Sequence, residues 1–269
     1  LIFLGLSSII LVTKGFLASY FLGIEQFAFY GIALVWSQIA VLLLPFGAGI
    51  KLQLETAENY MQKNVKRIVE DFSQSITLVF VNFVILTFFC YVFYFQEKNL
   101  VPSFFGVFLG AIQVLFLVLA TLSRCKQDLL FFCKVSLAKA ILVVTFIGVL
   151  GLTFPNFIGL ILAEVAAIFI VLAYIYLRDF KRKSLNLRFL TIRLSWYKDN
   201  FSLLAFSLSA ILISSFDRLI GSEKLDMVDF ASLAFLALFF NAAQMFQAMI
   251  NSIFLPYLTK IVLIKGVKH

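Results

Sequence analysis

The sequence predicts an all-α fold, a polytopic bundle of about eight transmembrane helices, and three observations carry that reading. Charged residues make up 13% of the 269-residue chain and apolar residues 62%, whereas a soluble domain needs about 25% charged residues to face water. The apolar residues also gather in runs of about 18 or more, the length that reads as a membrane helix. The 34 Phe residues suit helices packed against lipid and against each other.

A span needs about 20 residues to cross a hydrocarbon core roughly 30 Å thick. Cutting the chain at charges, Pro and Gly gives spans at approximately 1–22, 27–50, 72–95, 103–123, 129–152, 157–177, 201–220 and 230–255. The first starts at Leu1, inside an apolar stretch with no initiator Met and no basic region before it. It is therefore read as a span whose short N-terminal extension is missing, and not as a cleavable signal. Residues 1–177 form a six-helix lobe, 178–200 a basic cytoplasmic or interfacial linker, and 201–269 the first two helices of a second lobe.

Lys and Arg set the orientation. One set of loops holds Lys51, Lys63, Lys66, Arg67, Arg124, Lys126, Arg178, Lys181, Arg182, Lys183, Arg188, Arg193, Lys198, Lys260, Lys265 and Lys268; the opposite loops hold only Lys98 and Lys224, with Arg218 near a helix end. The first set, and the N-terminus with it, is placed in the cytoplasm. The same rule accounts for the net charge of +8 without a nucleic-acid partner. The linker mixes these cations with Leu185, Leu187, Phe189, Leu190, Ile192, Leu194, Trp196 and Tyr197. That pattern fits either an interfacial segment on anionic headgroups or an ordinary basic linker.

Cys90, Cys125 and Cys133 have neither disulfide nor zinc spacing and read as packing residues. The one histidine is His269, so histidine catalysis and histidine metal clusters are excluded from this stretch. No cofactor is expected, and no paired-carboxylate, nucleophile or phosphate-loop pattern marks an enzyme.

Candidate site residues are polar groups where the bilayer penalises them, by about 2.5–3.5 kcal/mol for a central charge on insertion scales. Lys14 lies about eight residues, roughly 12 Å, from the outer end of the first span, on a face shared with Ser7, Leu11 and Ala18. Lys139 is near the middle of the fifth span with Ser136 on its face. Snorkelling suffices for Lys134, is open for Lys14 and is a long reach for Lys139; a water-filled cavity is favoured for Lys139 and, more narrowly, for Lys14. Glu164, flanked by Ala163, Ala166 and Ala167 in the sixth span, either pairs with a lysine or carries a coupling proton or sodium ion. Asp217, a second coupling candidate, and Arg218, a substrate-binding candidate, sit near the outer end of the seventh span, where interfacial water also makes charge cheap. Gln38 shares a face with Gly31 and Pro45, and Pro45, Gly47 and Gly49 form a candidate hinge or gate. Asn241, Gln244, Gln247 and Asn251 put four amides in the eighth span, suited to helix contacts or to sugar hydroxyls.

Three stretches carry a resemblance: FLGIEQFAFYG (21–31), LLPFGAGIKLQL (43–54), and SSFDRLIGSEKL (214–225) with NSIFLPYLTK (251–260) closing the last span. Together they resemble the O-antigen type of polysaccharide flippase, within the multidrug/oligosaccharidyl-lipid/polysaccharide exporter superfamily. The resemblance implies two six-helix lobes around a central cavity, of which this chain supplies the first lobe and two helices of the second. It implies an inner-membrane transporter, not an enzyme, that carries undecaprenyl-diphosphate-linked oligosaccharide to the periplasmic leaflet. Its partners would be that glycan, membrane lipids and other polysaccharide-assembly proteins. It also implies a cationic cavity, which Lys14, Lys139 and Arg218 fit. The competing readings are a drug exporter of the same superfamily, a membrane-embedded polymerase or ligase, and a structural scaffold. The first needs acidic sites, whereas the deep charges here are mostly basic, and the short outer loops disfavour the second.

Overall fold

The computed structural model describes residues 2–49, 51, 52, 56, 59, 62, 65–94, 98–125, 128–181, 194–240, 243, 247 and 254. Every regular element among them is helical: α1 (Ile2–Phe21), α2 (Ile24–Leu43), α3 (Val65–Tyr94), α4 (Leu100–Cys125), α5 (Leu129–Thr153), α6 (Phe157–Ile175) running into a π-helical turn (Tyr176–Lys181), α7 (Leu194–Lys224) and α8 (Met227–Phe240). Among the described residues six helices, α1 to α6, are long and apolar enough to cross a membrane. The protein is a multi-pass helical membrane protein.

The first six predicted spans fall on these six helices, with informative differences at the ends. The second span stops at Leu43, seven residues before its predicted end at 50, because Pro45 cannot donate to the helix ladder. The third begins at Val65, seven residues before the predicted 72. Its added turns set Lys66, Arg67 and Glu70 in the open and bury Ile68, Asp71 and Phe72. The predicted seventh span, 201–220, lies within α7, which is longer at both ends and absorbs the last residues of the linker. The eighth is described as helix over Met227–Phe240 and is short for a span; most of its remainder, and the linker positions 185–192, lie outside the described residues.

Helix starts have local causes. Asn156 caps α6, its Oδ1 accepting from Gly159 N at 2.6 Å. Asp128 caps α5, accepting from Phe131 N at 3.2 Å, and its other oxygen takes a 2.8 Å hydrogen bond from Arg178 Nη2. That arginine also lies 3.4 Å from the Phe131 ring centroid, tying the end of α6 to the start of α5.

The packing positions the site. Leu22 and Gly23 alone join α1 to α2, yet the two helices splay: α1 packs along α5 and α2 along α4, while α6 touches α2, α4 and α5. Close approach of α2 and α4 depends on Gly106 and Gly110. A Cβ on Gly106 would strike the Ala33 carbonyl, and one on Gly110 would lie 2.5 Å from Ala40 Cβ. This is the small-residue spacing by which membrane helices associate. α8 crosses the splayed pair, with Leu238 over Gly15 of α1 and Ala234 and Phe230 over Gly31 of α2. The faces left outward are apolar, among them Phe80, Phe88, Phe89 and Phe93 of α3, as expected against lipid.

Candidate functional site

Glu164 projects from α6 into the space between α1 and α2. It is 1% exposed, and Ala163 and Ala167 beside it are fully buried, whereas Ala166 faces outward. Alanines there let the α6 backbone approach its neighbours, leaving the carboxylate as the one long polar group at the contact. Lys14 reaches across from α1, its Nζ 2.9 Å from Oε1 and 2.8 Å from Oε2. From α2 the Tyr30 hydroxyl donates to Oε1 at 2.7 Å, and its side chain is fully buried. Three helices that hardly meet through their backbones are thus joined at one carboxylate. Of the two roles considered for Glu164, the lysine pair is formed.

Lys139, on α5, belongs to the same neighbourhood. Its Nζ lies 4.3 Å from the Phe116 ring centroid on α4, within electrostatic range of Lys14 and Glu164. Among the described residues Lys139 forms no ion pair. The cluster therefore holds two ammonium groups against one carboxylate, and the carboxylate is taken up by Lys14. A cation over an aromatic face gains about 0.5–2 kcal/mol, well short of a full counter-ion. Lys134, by contrast, is exposed near the start of α5, as snorkelling requires.

A second polar cluster joins α2 to α7. Ser215 Oγ donates to Gln38 Oε1 at 3.1 Å, and Arg218 Nη2 donates to Ser215 Oγ at 3.3 Å. Gln38 lies eight residues beyond Tyr30, about 12 Å further along α2, so the two clusters occupy different depths. Arg218 is 5% exposed, its face of α7 turned inward onto α2 through Ser215 and Gln38. Asp217 is 68% exposed, with Oδ1 at 3.9 Å from Arg218 Nε.

The candidate hinge is a helix break. After Leu43 the chain turns through residues 44–47 with positive φ at Phe46 (47°) and Gly47 (76°), and helix resumes at Ala48. Neighbours hold the break in place. Asn82 of α3 donates to the Leu44 carbonyl at 2.9 Å and accepts from the Tyr197 hydroxyl of α7 at 3.3 Å. The Tyr197 ring meets Phe46 edge-on at 4.8 Å. Gly47 lies against Leu203 and the Asn200 carbonyl, while Gly49 faces open space. Of the four-amide stripe, Gln247 is helical and exposed, and Asn241, Gln244 and Asn251 lie outside the described residues.

Sequence reading did not single out Tyr30, Asn82 or the Gly106–Gly110 pair. Asn82 was visible as a lone amide in an apolar run, and the glycines as a G-x-x-x-G spacing. Tyr30 had no such mark, since an aromatic ring in an aromatic-rich span looks like packing.

No family model, curated protein or solved structure matches this chain.

Proposed function

We propose that the protein is an inner-membrane transporter of anionic, lipid-linked glycans. In this reading it moves undecaprenyl-diphosphate-linked oligosaccharide repeat units from the cytoplasmic to the periplasmic leaflet, with its N-terminus in the cytoplasm. The observation that carries the reading is Lys139, an ammonium within the fifth span that has no carboxylate of its own among the described residues, in the neighbourhood of an ion pair that is already satisfied. A diphosphate offers such a group short, charge-assisted hydrogen bonds. Side chains of Lys14, Tyr30 and Glu164 bridge α1, α2 and α6 in the same neighbourhood. The second cluster, with Gln38, Ser215 and Arg218, supplies amide, hydroxyl and guanidinium groups of the kind sugar hydroxyls and phosphates engage. The Lys and Arg distribution supports a cytoplasmic N-terminus, and the resemblance noted above is the ground for both the substrate and the direction of transport. Export of cationic drugs fits less well, because Lys14 and Tyr30 already occupy the Glu164 carboxylate.

The test is complementation in a strain lacking its own flippase, using the complete protein. Lys139→Ala abolishes surface polysaccharide while the protein level persists, and Lys139→Arg retains part of it, because the site requires charge more than shape. Full activity of the alanine variant would sink the anion-binding role.

A further inference from the structure

Away from the Lys14–Glu164 cluster, a groove of about 420 Å³ opens between α2, the end of α3 and the last turns of α7. That volume falls within the roughly 300–1,000 Å³ usual for ligand sites. Trp36, Phe93, Leu219 and Ile220 make its apolar walls, and Glu223 and Lys224 complete the lining. Its polar and apolar parts differ in depth. Asn99 Nδ2 donates to the Ser222 carbonyl at 3.3 Å, which sets Glu223 and Lys224 level with the start of α4. Trp36 packs at Gly106, seven residues along α4 from Asn99, or about 10 Å further into the bundle. Phe93 and Ile220 are 71% and 46% exposed, on a side where a membrane protein meets lipid. An occupant therefore enters from the bilayer.

The two charges select among lipids. Consecutive residues of a helix do not face each other, and among the described residues neither Glu223 nor Lys224 forms an ion pair. Lys224 suits the negative end of the α7 dipole, but Glu223 in the same turn opposes it and gains from a cation placed over it. We propose that this groove binds one phospholipid whose headgroup carries both a phosphate and a primary ammonium, of the phosphatidylethanolamine type. The phosphate meets Lys224, the ammonium donates to the Glu223 carboxylate, and an acyl chain runs past Leu219 and Ile220 to Trp36. A quaternary ammonium has no N–H to give Glu223, and an anionic glycerol headgroup brings no cation to it. The inference does not depend on the transport reading.

Trp36 is a built-in reporter, since the chain holds two Trp residues, Trp36 and Trp196. The full chain carrying Trp196→Phe is reconstituted in phosphatidylcholine vesicles doped with phosphatidylethanolamine brominated on its acyl chains, and Trp36 fluorescence is followed against mole fraction. Half-maximal quenching is expected at a several-fold lower mole fraction than with brominated phosphatidylcholine. Glu223→Gln should remove most of that difference, and Glu223→Gln with Lys224→Gln should merge the two curves. Both side chains are exposed, so folding is spared. Coincident curves in the parent protein overturn the proposal. Quenching by brominated phosphatidylglycerol as steep as by the ethanolamine lipid overturns it too, because the site would then be one for anionic lipid.

Discussion

The Lys14–Glu164–Tyr30 contact shows how an apolar run tolerates charge. Each ion alone would be costly in the bilayer interior; here they are paired through two short bonds, with a third from a phenol. Removing one side of a buried pair costs about 3–5 kcal/mol, because the other charge is stranded. Lys14→Met should therefore destabilise the protein by about that much in detergent unfolding, and Lys14→Met with Glu164→Gln should recover most of it. Equal midpoints for the single and double variants would mean that the pair does not form. Tyr30→Phe removes one hydrogen bond to a charged acceptor, for a loss of about 1.5–3 kcal/mol. At this scale the sequence was legible wherever a charge broke an apolar run, as at Lys14, Lys139 and Glu164. It was opaque where the partner was a neutral ring, as at Tyr30, or where the contact depended on another element, as when α7 turns Arg218 inward.

Elements of this bundle meet through small residues, because lipid offers no hydrophobic reward for bringing helices together. Gly106→Ala should cost about 1–3 kcal/mol through overpacking, since the new methyl group would press on the Ala33 carbonyl, which is backbone and cannot step aside. Gly148→Ala is the internal control. Nothing lies within 4 Å of a Cβ there, so the substitution should be neutral or stabilising by up to about 1 kcal/mol. Unfolding midpoints of the two variants check both statements. The break after α2 depends on Asn82, and losing its amide frees both the Leu44 carbonyl and the Tyr197 hydroxyl. A cysteine in place of fully buried Ala48 should label slowly with maleimide and several-fold faster when Asn82→Ala is added. Unchanged labelling would show that Asn82 does not hold the turn. Pro45 announced this break in the sequence, but the clamp around it comes from α3 and α7, far away along the chain.

For the whole molecule, the first six helices could be read because each is a long apolar run ended by charge, Pro or Gly. The seventh could not be bounded, because α7 scatters serines and charges among its apolar residues and continues through 31 residues. That is about 46 Å of helix, more than the roughly 30 Å core requires. Topology is the decisive check at this scale. Reporter fusions after Gln26, Glu97 and Pro155 should report outside, and fusions after Lys63, Lys126 and Arg188 inside. Two neighbouring fusions on one side would remove a span.

The ion pair between α1 and α6 also sets an order in time. Lys14 and Glu164 are 150 residues apart in the chain, so at roughly 5–20 residues per second of synthesis the lysine waits roughly 8–30 s for its carboxylate. During that interval α1 has left the ribosome without the carboxylate that neutralises its lysine, since α6 is made only after α2 to α5. The helix that carries Lys14 is therefore secured only once α6 is in place. Until α6 arrives, Lys14 must stay near water or at the insertion machinery, and not at the helix contact where it is finally paired.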